Sequence, residues 1–430
     1  MSKTTIAVQN DSFSRSEGKG RINRWARHLL LRQLKGLEEG ELVLVDGETY
    51  TFGKPTETFP LSIRLEISHP AFYGNTVFGG SLGCAESYIA GDWNCSDLPG
   101  LIRLMVRNRP VIEGLDGGLS LLMTPARRWL HWLNRNNQSG SRRNIAAHYD
   151  LGNDFFQTFL DDSMMYSCAL FEPEHISLED ASKAKLERVC QLLDLQPGDR
   201  VVEIGTGWGG FAIHAATHYG CHVTTTTISE RQHQLAAERI EAAGLQDRIT
   251  LLKEDYRKLE GQYDKLISIE MIEAVGHQFF ETFFRQCSQL LKPEGLMLIQ
   301  AITINDRQYL SARDEVDFIK RYIFPGSCIP AIEPLVHAAT QATDLQLIYL
   351  RDIGPHYART LRTWRERFLE NLPKVKSLGY SDAFTRLWEF YLAYCEGGYE
   401  ERALGDLHML FQKPLYRGPL PSADRRPIEN

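Results

Sequence analysis

The stretch that decides the fold is DRVVEIGTGWGG, residues 199–210. Val201 to Ile204 are strand formers, and the chain then breaks into a turn rich in glycine, Gly205-Thr206-Gly207-Trp208-Gly209-Gly210. An apolar helix pattern starts at Phe211. Glycines at such a turn let the backbone bend sharply and approach a ligand with no side chain between them. Strand, glycine turn and helix in that order form the context of a nucleotide-type site. The pattern GxGxxG would suggest a dinucleotide, and the turn here reads GTGWGG. Glu203 in the strand end and a later acidic turn, Glu254-Asp255, fit S-adenosylmethionine better. The plain alternative is a tight turn in an ordinary α/β domain.

Outward from the turn the alternation is regular. Strands are expected at 201–204, 221–227, 249–254, 264–269 and 295–303, with helices at 209–219, 230–243 and 277–291. A late strand at 345–350 and a short one at 408–412 complete a doubly wound, seven-stranded α/β sheet. Residues 305–344 form a long insertion, and helical patterns follow at 358–371 and 381–396. Such insertions lie above the carboxyl ends of the strands, where open α/β sheets bind ligands.

Before this sheet the sequence divides further. Residues 1–20 read as a flexible tail, 21–135 as a smaller α+β amino-terminal domain, 136–145 as a polar linker and 146–430 as the main domain. RINRWARHLLLRQLK (21–35) is a basic amphipathic helix pattern, with Ile22, Trp25, Leu29 and Leu30 on one side and Arg21, Arg24, Arg27 and Arg32 among its charges. That composition suits a membrane surface, and equally a helix docked on its own domain. ELVLVDGETYTFG has Asp46-Gly47 as a hairpin turn. Residues 61–67 alternate as a strand, 81–93 suggest a helix ending near Gly91, and 97–134 look helical, closing on the basic–aromatic RRWLHWLNR.

A chain of 430 residues is long enough for two domains. A net charge of −7 argues against nucleic acid as a partner. The eight cysteines show no CxxC or Cys/His ligand spacing, so no metal site is expected. The polar start lacks a signal core and no apolar run spans a bilayer. The expected location is cytoplasmic, in peripheral contact with the inner membrane face, and a homodimer stays open.

The order and spacing of several motifs resemble the cyclopropane-fatty-acyl-phospholipid synthase family of S-adenosylmethionine-dependent lipid methyltransferases. They are AAHYDLGNDFFQTFLDDSMMYSCALF (146–171), VVEIGTGWGGFAIHAA, TTISERQ, KEDYRKL, EMIEAVG, LKPEG, FIKRYIFPG and YLAYCEGGY. The resemblance covers 146–430, and more weakly LGCAESYIAGDW in the amino-terminal part. EMIEAVG and LIQAITI resemble the branch with plant-type synthases; the bacterial branch has His at the positions of Gln300 and Ala274.

The resemblance implies a class I methyltransferase-like sheet and a set of site residues. Gly205, Gly207 and Gly209 would approach the methionine part of S-adenosylmethionine, with Glu203 in the strand beneath. Thr227, Ile228 and Gln232 would lie by the ribose and adenine edge. Tyr256 and Arg257 would flank adenine, Asp255 would meet its amine, and Tyr166 and Ser167 would close over the donor. The implied reaction adds a methylene bridge to the cis double bond of unsaturated acyl chains in membrane phospholipids. A carbocation forms, and a base must take a proton from the added methyl in a dry apolar tunnel.

In the family that base is bicarbonate. The implied holders are Cys168, Glu273 at the end of strand four, Gln300, the Ile302 backbone and Tyr357. Phe171, Phe318, Tyr322 and Phe324 are tunnel candidates. Cys395 matches a cysteine long regarded as the family's nucleophile; a thiolate beside a carbocation would be alkylated, so a structural place near the site is expected. His148 reads as a helix organiser and Asp161-Asp162 as a turn. Alternatives are a methyl-branched or methylene product, a non-catalytic lipid- or cofactor-binding protein, and a small-molecule amine methyltransferase. The polar trio Cys168, Glu273 and Tyr357 argues against the binding protein; the long insertion argues against the amine enzyme.

Overall fold

A computed structural model describes residues 20–117 and 151–419. The expected tail (apart from Gly20), the linker, the RRWLHWLNR stretch and His148 lie outside the described residues.

Helix α1 (Gly20–Leu34) leads into the hairpin β1 (Gly40–Asp46) and β2 (Glu48–Lys54). The two pair from Gly40↔Lys54 to Asp46↔Glu48, which leaves Gly47 at the tip with φ +69°. Strand β3 (Ser62–Ile67) joins β1 in parallel, and β4 (Trp93–Cys95) joins β3 antiparallel, giving the order β2-β1-β3-β4. Between them α2 runs over Ala71–Ile89, ten residues longer at its start than the sequence pattern suggested. It kinks at Gly80, whose backbone is non-helical (φ +63°), and that break hides the first half from a periodicity reading. Helices α3 (Leu98–Arg107) and α4 (Arg109–Asp116) complete this part.

The main sheet begins after a short helix, α5 (Asn153–Phe156), and α6 (Leu178–Leu192). In chain order it contains β5 (Arg200–Ile204), α7 (Gly210–Tyr219), β6 (His222–Thr226), α8 (Glu230–Ala242), β7 (Ile249–Leu252) and β8 (Tyr263–Ile269). There follow α9 (Phe280–Leu290), β9 (Leu291–Ile304), α10 (Asp306–Asp314), α11 (Ile332–Ala342) and β10 (Gln346–Asp352). Last come α12 (Gly354–Glu370), α13 (Leu372–Ser377), α14 (Asp382–Glu400) and β11 (Leu404–Gln412).

The strand order is β10-β11-β9-β8-β5-β6-β7. Strands β5 to β9 are parallel, and β11 lies antiparallel between β9 and β10. Alternate residues enter separate cores. Val201 belongs to the core that holds Val189 and Phe211, while Val202 belongs to the one that holds Phe283 and Leu335. Both faces of the sheet are therefore covered by helices, as parallel strands require. This is the doubly wound, seven-stranded sheet expected from the sequence.

A third apolar core joins the two parts. It runs without a break from Ala26 and Leu30 in α1, through Leu42, Leu44 and Trp93, to Phe318, Trp364 and Trp388. Polar clamps edge it: the Arg386 guanidinium donates to the Tyr88 and Trp93 carbonyls and to Asn94 Oδ1, and stacks 3.9 Å over the Tyr88 ring. Arg103 and Arg107 both pair with Glu401. The amino-terminal part is thus packed onto α14, chiefly through α2 and α3, so anything between them has protein on both sides.

Candidate active site

The glycine turn leaves the end of β5 as the sequence demands. Gly205, Gly207 and Gly209 have φ of +105°, +52° and +86°, a region open to glycine at little steric cost. A Cβ on Gly207 would meet no atom within 4 Å, because this glycine borders open cavity. Glu203 lies beneath, accepting from Thr225 Oγ1 at 2.6 Å; burial pushes its carboxyl up to about 8.

Across the turn, Thr227 Oγ1 donates to Gln232 Oε1 at 2.8 Å, so the pair is preset by its own hydrogen bond. Ser229 caps α8 by accepting from the Gln232 amide. Asp255 is held by Arg257 through two bonds of 2.8 and 2.6 Å, and Tyr256 packs edge-on to Phe283. Tyr166 shares a 2.8 Å hydroxyl contact with Tyr391 and stacks on Trp364. Ser167 Oγ accepts from Lys185 Nζ at 2.7 Å. All of these residues except Ser229, Phe283, Trp364 and Lys185, with Ile228, line one cavity of about 830 Å³, which is therefore where the structure brings the expected donor-binding residues together.

The second part of that cavity is a buried acidic cluster, and here the structure differs from expectation. The glutamate at the end of the fourth parallel strand is Glu270; Glu273 follows one turn later, in a 3₁₀ turn over Ile272–Ala274. Glu270 adopts φ +46°, a strained choice for a side chain of its size, held by its N–H to the Gln300 carbonyl at 2.8 Å. Its carboxylate accepts from the Cys168 N–H (2.7 Å), Gln300 Nε2 (2.8 Å) and the Tyr357 hydroxyl (2.7 Å). The Ile302 N–H donates instead to Glu273 Oε1, and Glu273 Oε2 has no partner among the described residues.

The donors expected to hold bicarbonate are therefore engaged by the protein's own carboxylates. The Cys168 thiol, pushed well up by burial, points its weak bonds at the Ala169 and Ile353 carbonyls. As folded, these residues do not fit bicarbonate as a resident ion.

Gln300 sits at the centre. Its amide donates to Glu270 and, at 2.8 Å, to Asp406 Oδ2, while its oxygen lies 3.3 Å from His408 Nε2. Burial lowers His408 to about 3, so it is neutral and the Nε2–H tautomer suits this contact. An amide bridges two carboxyls where a single imidazole nitrogen could serve one. Burial raises Glu270, Glu273 (to about 8) and Asp406. Three donors on Glu270 make it the member that carries the charge, leaving Glu273 and Asp406 protonated near neutrality.

Lys185, Asp406, His408 and Glu270 were not singled out from sequence. Lys185 is one of several charged residues in α6, Asp406 and His408 share β11 and Glu270 follows β8, and only the fold brings them together. Metal-type clusters of three or more His, Cys, Asp or Glu are absent among the described residues.

The remainder of the cavity is mostly apolar, with Arg109, Glu113, Asp116, Glu315, Asp317 and Lys320 also in its lining. Phe318 and Phe324 line it, as does Cys395 from α14, its thiol pushed up by burial. Phe171 does not; it lies under Arg359. Tyr322 does not either, donating to Glu86 at 2.6 Å. Their place is taken by residues of the amino-terminal part, including Leu44, Leu65, Trp93 and Met105.

Comparison with known proteins gives the family and the fold. Residues 136–409 match the family described as mycolic acid cyclopropane synthetase. Tuberculostearic acid methyltransferase of Mycobacterium tuberculosis is 38% identical over 338 residues, 74% of this chain and 76% of that protein. Cyclopropane-fatty-acyl-phospholipid synthase of Escherichia coli K12 is 35% identical over 368 residues, 84% and 90% of the two chains. A solved cyclopropane synthase from M. tuberculosis superposes with a TM-score of 0.59 at 28% identity, covering 63% of this chain and 98% of that one. A mycolic acid cyclopropane synthase in complex with S-adenosylhomocysteine has the same TM-score at 27% identity, with 63% and 98% coverage. With its glycine turn, its seven-stranded sheet and these relatives, the chain belongs to the mycolic acid cyclopropane synthetase family and is an S-adenosylmethionine-dependent methyltransferase.

Proposed function

We propose that the protein adds a methylene bridge from S-adenosylmethionine across the cis double bond of unsaturated acyl chains in membrane phospholipids. The carrying observation is the single cavity that joins the glycine turn, the buried acidic cluster and an apolar channel between the two sheets. Its volume, about 830 Å³, lies towards the upper end of the ~300–1,000 Å³ usual for ligand sites. An amine substrate would have little use for so long an apolar wall.

When bound, S-adenosylmethionine supplies a methyl group on a sulfonium centre. The glycine turn, the Thr227–Gln232 pair and the Asp255–Arg257 fork would hold that donor, with Ile228 and Tyr256 against adenine, Glu203 below and Tyr166 and Ser167 closing over it. The apolar channel excludes water from the cation that follows. The rings of Tyr357, Tyr391 and Tyr399 face the same cavity and can stabilise positive charge through their π faces.

Delivery from a bilayer is the role proposed for α1. Ile22 and Trp25 are 43% and 49% exposed, and Phe78 lies 6.1 Å from Trp25, ring to ring. Exposed Arg21 and Arg24 flank them. This patch would rest on a phospholipid surface, with the amino-terminal part as the docking unit and the main sheet as the catalytic one.

A second reading, transfer of the methyl group without ring closure, is favoured by the similarity to the tuberculostearic acid methyltransferase. Purified protein, S-adenosylmethionine and vesicles of monounsaturated phospholipid, followed by lipid mass spectrometry, separate the two. The expected product is heavier by one methylene with a cyclopropane fragmentation pattern. A branched product selects the second reading. No mass gain on unsaturated chains, with turnover on small amines, would overturn both.

A further inference from the structure

We propose that Glu270 is the base of the reaction, its carboxylate standing in the place that the family resemblance gives to bicarbonate. The inference rests on the alkene methylation proposed above. Its ground is the contact set: the Cys168 N–H, Gln300 amide and Tyr357 hydroxyl converge on Glu270 within 2.7–2.8 Å. Glu270 and Tyr357 line the cavity wall; Cys168 and Gln300 lie behind it. Of the two carboxyls that line the cavity, Glu270 and Glu273, Glu270 is the one on which three side-chain or backbone donors converge.

The backbone agrees. A glutamate at φ +46° on the wall of a cavity, where burial raises its carboxyl, is costly twice, in strain and in desolvation. A structural role alone would be served as well by an apolar residue with ordinary geometry. Strain of this kind persists where the surroundings hold it, and here four hydrogen bonds do so, three to the side chain and one from the backbone N–H.

The step balances without an outside ion. The alkene π pair forms a bond to the donated methyl carbon, and the carbon–sulfur bond breaks with its pair left on sulfur. The neighbouring alkene carbon becomes cationic. Glu270 accepts a proton from the new methyl group, and the freed C–H pair closes the third side of the ring. The proton stays on the Glu270 carboxyl until the product leaves and water enters. Three donors also blunt the carboxylate as a nucleophile, which disfavours ester formation with the cation.

The test is turnover on monounsaturated vesicles in carbon-dioxide-free buffer, with and without added bicarbonate. The parent protein should be indifferent to bicarbonate. Glu270→Gln should lose about 10²–10⁴-fold in kcat while S-adenosylhomocysteine, followed by calorimetry, still binds. Glu270→Gly should be similarly slow and recover in part with bicarbonate, since it vacates the anion's place. Carbon-13 bicarbonate NMR should show a bound line for Glu270→Gly and none for the parent. A parent enzyme that needs bicarbonate, a bound line in the parent, or a Glu270→Gln variant at parental speed would overturn the proposal. Absence of any turnover on lipid would sink the substrate reading instead, and the NMR experiment would still decide whether Glu270 fills the anion site.

Discussion

At the scale of single residues, two buried carboxyls set a pH response. Glu203 and Glu273 are both pushed from 4.5 to about 8 by burial. Between those values the folded protein keeps two protons that the unfolded chain releases, so their stabilising contribution is complete below about 4.5 and lost as pH rises through about 8. In thermal melts of the ligand-free protein, the parent should therefore lose ground relative to Glu203→Gln and to Glu273→Gln as pH climbs from 5 to 9. A constant gap would mean that these carboxyls are ionised throughout. Because Glu273 is the neutral acid below about 8, its amide variant should keep activity within about tenfold of the parent, far from the loss expected at Glu270. Gly207→Val is a different case. Its φ of +52° makes any β-branched residue cost roughly 1–3 kcal/mol, and the side chain would project into the donor's space. Calorimetry should find S-adenosylhomocysteine binding lost in a protein that still melts cooperatively; unchanged affinity would misplace the donor site.

At the scale of elements, α1 shows how a correct pattern can be assigned to the wrong neighbours. Leu30, read with Ile22 and Trp25, turns inward with Ala26 and Leu34, while Ile22 and Trp25 stay exposed. Arg27 is bound to Asp46 at 2.8 Å and to Tyr50, so it is not a surface charge awaiting a lipid. Replacing Arg21, Arg24 and Arg32 by Gln should weaken binding to anionic vesicles by about 1 kcal/mol each at low salt, and less at high salt. Trp25→Ser should weaken it at both salt levels. Arg27→Gln should lower the melting temperature instead, and vesicle affinities matching the parent in every variant would move the membrane contact elsewhere.

The main sheet was legible because its signals are local. Glycine turns, β-branched runs and amphipathic helices repeat within a few residues, and every strand expected from Val201 onward is present. Beyond the glycine turn, the expected donor-site residues came from the family resemblance, and the fold brings them to one cavity. Glu270 was not legible: an acidic residue after a strand reads as a turn, and its donors come from positions 168, 300 and 357. The channel wall was hidden for another reason. Leu44 and Leu65 alternate like any core residues, and nothing in a strand pattern separates packing from lining.

At the scale of the whole molecule, the channel between the sheets should measure acyl chains. Leu44→Phe adds volume to a wall residue of the amino-terminal sheet, away from the glycine turn. It should raise KM for longer monounsaturated chains more than for shorter ones, leaving S-adenosylhomocysteine affinity unchanged; equal effects on all lengths would mean general overpacking. Arg386→Ala removes three hydrogen bonds at the seam and should cost about 2 kcal/mol or more. The family match begins at residue 136, whereas Leu44, Leu65, Trp93 and Met105 all precede it. On the reading proposed above, part of the channel wall thus lies outside the stretch that carries the chemistry, and acyl-chain selection can diverge from it. Relatives with the same acidic cluster need not share a diet, and exchanging the first 117 residues between two of them should carry the taste for a given lipid across while the product's new ring or branch stays with the recipient.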